Sequence, residues 1–525
     1  ASRYGKSQLL AGLVTVIAVI GVVPYIALQL KAVSASLQIL FQTSGGGFLP
    51  GMIDSTFIIA ALLALFTILF GTRHLDATER HEGMVAAIAF EAVVKLAAFL
   101  AVGVFVTYGM FGGLSDLFQR AAASPELARL LQMDSSRAET WTALILLSGL
   151  AIIFLPRQFQ IIVVENVDEA HLKRAVWLFP LYLVAINIFV LPLALGGLLH
   201  FQGQGFNPDT FVLTLPLARG AESLALLVFI GGLSAATGMV IVETIALSTM
   251  VCNDLVMPWL LRAHWLGVGE RKDLSGVLLS IRRAAIILIL LLGYIYFRAA
   301  GEAYALVGIG LISFAAVAQF APAMFGGMYW KQGTRAGAVA GLLGGFFVWL
   351  YTLLLPSFAK SGWIANGFVE QGLWGIQALK AQALFGLSGL DEISHSLWWS
   401  FLVNIGLYVL VSLYSKPDAV EAGQAERFVD VFRHGGRDTD ARLWRGTASV
   451  DELVSLLERF LGPFRARQQL ATYAAAQGTS DWHALPADAG FVRFAEAQLS
   501  GAIGSASARV MVASVAREED LGLEE

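Results

Sequence analysis

A multi-span, all-helical membrane domain followed by a small helical soluble domain is the architecture this sequence predicts, and three observations predict it. Hydrophobic residues make up 57% of the 525 positions, charged residues only 14%, and mean hydropathy is +0.69. A soluble domain carries about 25% charged residues, so most of this chain is adapted to lipid. Charge is also unevenly placed. Residues 416–525 hold 12 Lys+Arg and 17 Asp+Glu, 29 of 110, whereas residues 1–415 hold 45 of 415. Finally, ten apolar stretches have the length that crosses a hydrocarbon core of about 30 Å.

Those stretches are 8–32, 54–72, 83–109, 140–162, 175–199, 222–252, 280–297, 304–329, 335–356 and 396–415. With the N-terminus on the cytoplasmic side, cytoplasmic loops and span ends carry 14 Lys+Arg. They are Arg3, Lys6, Arg73, Arg80, Lys173, Arg174, Arg262, Arg271, Lys272, Arg282, Arg283, Lys331, Arg335 and Lys416. The outside carries 7: Arg120, Arg129, Arg137, Arg219, Arg298, Lys360 and Lys380. The bias places both termini and the soluble tail in the cytoplasm. Residues 113–139 and 357–395 read as external loops with short helices. In the tail, Val450–Gln469 and Phe491–Arg517 carry helical apolar spacing. The chain starts at Ala1 without Met and stops in a charged run at Leu523-Glu524-Glu525, and a fragment cut at both ends is expected.

Several function classes drop out. A net charge of −4 gives no electrostatic case for nucleic-acid binding. The single cysteine, Cys252, excludes a disulfide framework and a Cys-rich metal site and is expected to be inert. There is no phosphate-binding loop, no nucleophile elbow and no HExxH pair. The eight His are scattered, so no catalytic residue is expected and the chain does not read as an enzyme.

Polar and ionisable groups inside lipid are expensive, which makes each a functional candidate. The fourth span reads Phe154-Leu155-Pro156-Arg157-Gln158-Phe159-Gln160. Pro156 leaves the carbonyl of Ile152 without a helix donor and breaks or kinks the helix. Irregular backbone at this depth is tolerated where it lines a cavity, so Pro156, Arg157, Gln158 and Gln160 are substrate-site candidates. The alternative is a kinked helix whose Arg157 snorkels to the surface. On the sixth span Ser234, Thr237, Thr244 and Ser248 share one helical face. Such oxygens suit a small hard cation or, equally, close helix packing. Glu243 is a carboxyl deep in the same span, to be protonated or paired with a distant cation. Glu91 and Lys95, four apart, suit an intrahelical ion pair. Tyr25 and Gln29 near Pro24, and Gln319 near Pro322, are further polar points. Each could converge on a site or serve as a helix–helix hydrogen bond.

Leu155–Phe159, the Ser234–Asp254 stretch ending Val251-Cys252-Asn253-Asp254, the run Ile286–Tyr296, and Ala305–Pro322 with its Gly308-Ile309-Gly310 core resemble the sodium/solute symporter family over essentially all of residues 1–415. The chain is most similar to the transporter-like input region of CbrA-type bacterial sensor histidine kinases. Residues 421–525, notably Ala506–Val515, resemble the STAC linker domain of that group. The resemblance implies a LeuT-like inverted-repeat fold of which ten spans are present here and the first three family spans are missing. It implies a bacterial inner-membrane protein that takes up or senses a small solute, an amino acid or organic acid, with sodium or proton coupling. The expected partners are the lipid bilayer, the solute, and a downstream PAS and histidine kinase module with its response regulator. A transport-inactive receptor is the alternative. The family's sodium motif falls on Ser234, Thr237 and Gly238, with Thr237 matching a hydroxyl ligand, Ser234 a carbonyl position, and Gly238 replacing a hydroxyl. No cofactor is implied beyond a sodium ion at Ser234 and Thr237.

Overall fold

The computed structural model describes residues 1–43, 55–71, 82–132, 138–166, 168–262, 273–301, 305–431, 446–447, 449–479, 482, 486, 488–515 and 517–518. Arg73, Arg80, Arg137, Arg271 and Lys272 of the loop-charge pattern, and the Leu523–Glu525 end, lie outside the described residues.

Helices follow the apolar stretches closely. They are α1 (Gln8–Thr43), α2 (Ser55–Gly71), α3 (Glu82–Val104), α4 (Ala138–Phe154), α5 (Pro156–Phe159), α6 (Glu169–Asn187), α7 (Val190–His200), α8 (Glu222–Met250), α9 (Ser275–Ala300), α10 (Leu306–Ala318), α11 (Ala321–Tyr329), α12 (Arg335–Trp349) and α13 (Glu392–Tyr414). Eight continuous helical segments are long and apolar enough to cross a membrane. The α4–α5 pair, bent by 51°, makes a ninth, and α2 is a shorter apolar helix of 17 residues. The protein is an all-α, multi-pass membrane protein, and each of the ten expected stretches is helical, some in two pieces. The loop expected over 113–139 carries the short helices Leu114–Ala123 and Pro125–Leu130, and the later loop carries Gly367–Glu370.

α1 is the centre of the packing. It touches α8, α9 and α10, and Ile17, Val22, Ile26 and Leu30 on it are almost wholly buried. A membrane helix gains little from hiding Leu from lipid, so close approach supplies the association instead. On α12, Gly337, Gly341 and Gly345 recur every fourth residue and let α13 come so near that an added Cβ would meet Ser412 Oγ at 2.0 Å or the Asn404 carbonyl at 2.7 Å.

The tail consists of α14 (Ala419–Val429), α15 (Val450–Leu461), α16 (Pro463–Ala476), α17 (Ala489–Ile503) and α18 (Ser505–Val515). Two long helices expected from periodicity are therefore each divided. The breaks fall at Gly462 and Gly504, whose φ of 83° and 80° only glycine adopts without strain. A two-residue strand pair, Gly446–Thr447 with Arg517–Glu518, also joins the tail. Its core is not separate from the membrane domain. Leu453, Leu457, Phe460, Phe491, Leu499 and Val512 pack in one cluster with Cys252, Met257, Leu260, Leu274 and Leu278 from the adjoining ends of α8 and α9. The amide of Leu274 donates to the Arg459 carbonyl at 2.8 Å, and Lys6 pairs with Glu496. The N-terminus and the tail thus lie on one face of the membrane domain.

Candidate functional site

Pro156 begins α5 as its first residue, with Leu155 extended (φ −63°, ψ 129°) ahead of it. The ring removes the amide that would have continued α4, so the chain turns by 51° and restarts. Arg157 lies just past this break and does not reach for a surface: its side chain is 17% exposed. The guanidinium carbon sits 5.1 Å from the centre of the Tyr25 ring on α1, a cation–π geometry. Its Nε is 4.0 Å from Glu243 Oε2 on α8. Tyr25 is fixed in turn, its hydroxyl donating to Met239 Sδ at 3.2 Å and its ring stacking on Phe314.

Glu243 is completely buried. At 4.0 Å the ion pair is longer than a hydrogen bond, and neither Glu243 oxygen nor Arg157 Nε makes a hydrogen bond of ordinary geometry. A desolvated charge held this loosely is costly. The pair retains hydrogen-bonding capacity on both sides, so it is suited to exchange partners with a third group.

A second pair adjoins it. Glu91 and Lys95 on α3 are 3.9 Å apart, as their spacing predicts. Glu91 reaches to α8, where its Oε2 lies 2.0 Å from the point a Cβ on Gly238 would occupy. The space left by the missing side chain at Gly238 is thus filled by a carboxylate. Ser234 donates to the Gly231 carbonyl at 3.1 Å and Thr237 to the Ser234 carbonyl at 2.9 Å. Both hydroxyls bond back into their own helix, and their oxygens keep acceptor capacity. Among the described residues no three His, Cys, Asp or Glu gather as a metal-binding cluster. The donor set present is two hydroxyl oxygens with a carboxylate beside them, which suits a monovalent cation or a proton better than a tightly bound divalent one.

The structure brings Tyr25, Pro156, Arg157 and Glu243 together, with Thr237 and Ser234 higher on the same α8. Gln29 is buried one turn beyond Tyr25. Gln160 turns aside to donate to Glu165 at 3.2 Å, and Gln158 is half-buried beside it. Gln319 is engaged at a different contact. Its Nε2 donates to Ser400 Oγ at 2.9 Å and to the Ala315 carbonyl at 3.2 Å, and its Oε1 accepts from Asn404 at 3.0 Å. Its amide is satisfied at the α10–α13 contact, the helix–helix alternative given for it from the sequence. Glu91 and Lys95 stand nearer the site than their reading as a structural pair implied. Only the contact of Glu91 with Gly238 reveals this, although a glycine in place of a hydroxyl was the available clue.

No family model matches the chain, and no curated protein matches it. Among solved structures it is similar to one described as the substrate-bound outward-open state of a Na+-coupled sialic acid symporter with a novel Na+ site. That likeness has a TM-score of 0.48 at 13% identity, and covers 76% of this chain and 74% of that one.

Proposed function

We propose that this chain is a solute-recognising membrane domain of the sodium/solute symporter type. In this reading a small carboxylate-bearing solute, an amino acid or organic acid, is taken up or sensed at the α4–α5 break. The observation that carries the proposal is Arg157, desolvated at a helix break, braced by Tyr25, and facing Glu243 across a gap too long for a hydrogen bond. Arg offers a planar fork matched to a carboxylate, and a solute carboxylate would take up the donors that Glu243 leaves unused. Ser234, Thr237 and Glu243 on α8 are the coupling residues. Sodium would use the two hydroxyl groups, and a proton would use Glu243. The LeuT-like repeat belongs to the same reading, as do the bacterial inner membrane and the cytoplasmic position of the tail.

The resemblance of the tail to a STAC linker supports a sensing role, with relay to a PAS and histidine kinase module and its response regulator outside this chain. The continuous core between the tail and α8 favours the second reading, a receptor that moves no solute, because the helix bearing Glu243 also anchors the tail. Radiolabelled uptake of amino and organic acids into vesicles, with and without a sodium or proton gradient, separates the two. Accumulation that depends on a gradient establishes a transporter, and saturable binding without accumulation establishes a receptor. Arg157→Lys keeps the charge but loses the fork, and is expected to weaken either readout by roughly 10-fold or more. Unchanged binding in that variant would remove Arg157 from the site.

A further inference from the structure

On the face away from the tail, a cavity of about 230 Å³ opens between the far end of α1, α3, the start of α8 and the segment around Asp209. Its wall is mostly apolar, with Phe99, Val228 and Phe229 prominent, and among the described residues the charged ones lining it are Lys95 and Asp209. Asp209 is exposed and accepts the amide of Leu306 at 3.1 Å, which holds it near the mouth. Lys95 belongs to mid-span α3, with its Cα 3.7 Å from a Cβ built on Gly231 of α8. Its counter-charge is incomplete: Glu91 Oε1 stands at 3.9 Å, beyond hydrogen-bond length, while Glu91 Oε2 is turned into the notch at Gly238. The hydroxyls of Ser36 and Thr210 in the same wall donate to the Ala32 and Asn207 carbonyls. Among the described residues lining this cavity, Lys95 is therefore the positive hydrogen-bond donor available to a molecule in it.

We infer that this cavity is a second binding site, for a small carboxylate anchored by Lys95, distinct from the site at Arg157. The volume corresponds to about seven or eight waters, enough for a carboxylate with a body of a few carbons. The apolar wall suits such a body, and the ammonium, a compact charge with three donors, suits the carboxylate. Asp209 at the other end accommodates an ammonium on the same molecule. The inference rests on the solute-binding reading above in giving the cavity a purpose, because Lys95 in its wall pairs with Glu91, which packs against α8 at Gly238.

The test uses the full chain in nanodiscs carrying Ser36→Cys. The chain without that substitution is the control, because native Cys252 is fully buried. Two thiol reagents of similar size are compared, the anionic sulfonatoethyl and the cationic trimethylammonioethyl methanethiosulfonate. Lys95→Met is expected to lower the anionic-to-cationic rate ratio by about 10-fold or more. Butyrate and 2-aminobutyrate should slow labelling in the parent and in Lys95→Arg, and should not in Lys95→Met; butylamine should protect in none. If Lys95→Met fails to fold, Gly232→Leu replaces it, since a Cβ there meets nothing within 4 Å and the larger chain fills the cavity. An unchanged ratio together with equal butyrate protection in parent and variant overturns the proposal. So does protection that is lost in Arg157→Lys but kept in Lys95→Met, which would assign butyrate to the deeper site alone. Protection that survives Arg157→Lys and fails in Lys95→Met supports the second site even where the Arg157 reading falls.

Discussion

Glu243 and Thr237 lie on the same helix, yet they make opposite demands on a coupling ion. Glu243 is wholly buried and faces one guanidinium at 4.0 Å, so removing its charge leaves Arg157 without a counter-ion in a low-dielectric site. Glu243→Gln is therefore expected to abolish the pH dependence of solute binding or uptake and to leave its sodium dependence intact. The measurement is a paired pH and sodium titration, and a shift in sodium dependence alone would assign the ion to Glu243 differently. Thr237 already donates to the Ser234 carbonyl, which leaves its oxygen to accept. Thr237→Ala should raise the sodium concentration for half-maximal uptake several-fold, and Thr237→Ser should be mild. Equal effects from both substitutions would mark Thr237 as a packing residue.

Helix ends and breaks carry the next level of organisation. Asp391 caps α13 by accepting from the amides of Ile393 and Ser394 at 3.1 Å, and it also accepts the Thr140 hydroxyl of α4 at 2.8 Å. Partial burial works to raise its pKa, but hydrogen bonds from Ser394, Thr140 and Ile393 outweigh this and hold the carboxyl below its ordinary value. The sign follows: the cap contributes above the ordinary carboxylate range and is lost as pH falls through the depressed pKa. Asp391→Ala should cost about 0.5–2 kcal/mol at neutral pH, read as a lower thermal midpoint, with the difference from the parent vanishing in strong acid. At the tail, Gly504 divides α17 from α18 with φ 80° and ψ 150°. A Cβ there would also stand 3.2 Å from Asn253 Cβ. Gly504→Ala is expected to lose about 1–3 kcal/mol of tail stability, measured by denaturant titration of tail fluorescence.

For the molecule as a whole, the important connection runs along α8. Its middle bears Glu243 and its end continues through Cys252, Asn253 and Asp254 into the shared core with the tail. Thr15 of α1 donates to Asp254 at 3.2 Å, so the two helices that hold Tyr25 and Glu243 meet again beside the tail. Coupling between sites is reciprocal, so any effect of the proposed solute on the tail would be matched by an equal effect of the tail on solute affinity. Leu457→Ala, deep in the shared core, should cost about 2–5 kcal/mol and raise hydrogen exchange in residues 251–256 as well as in the tail. Exchange that rises in the tail alone would show that the two parts do not share a cooperative core.

Much of this was legible from residue order because the governing forces are local. Each apolar stretch must satisfy its own backbone in lipid, so every one of the ten became helical, and Pro156 had to interrupt one of them wherever the rest of the chain went. The uneven charge likewise marked residues 416–525 as a different kind of surface. Periodicity missed Gly462 and Gly504 because the apolar spacing runs on past them, and the backbone turns only where α16 and α18 fold back to fill the core. The choice among polar candidates was decided by packing alone. Arg157 and Gln319 were both polar candidates within spans, but α13 presents Ser400 and Asn404 to Gln319 and satisfies it, while α8 presents to Arg157 a carboxylate held too far away to satisfy it. Sequence determined which segments enter the membrane and where one breaks; only the tertiary structure, through distances between helices, decided which polar groups are already satisfied and which remain available to a ligand.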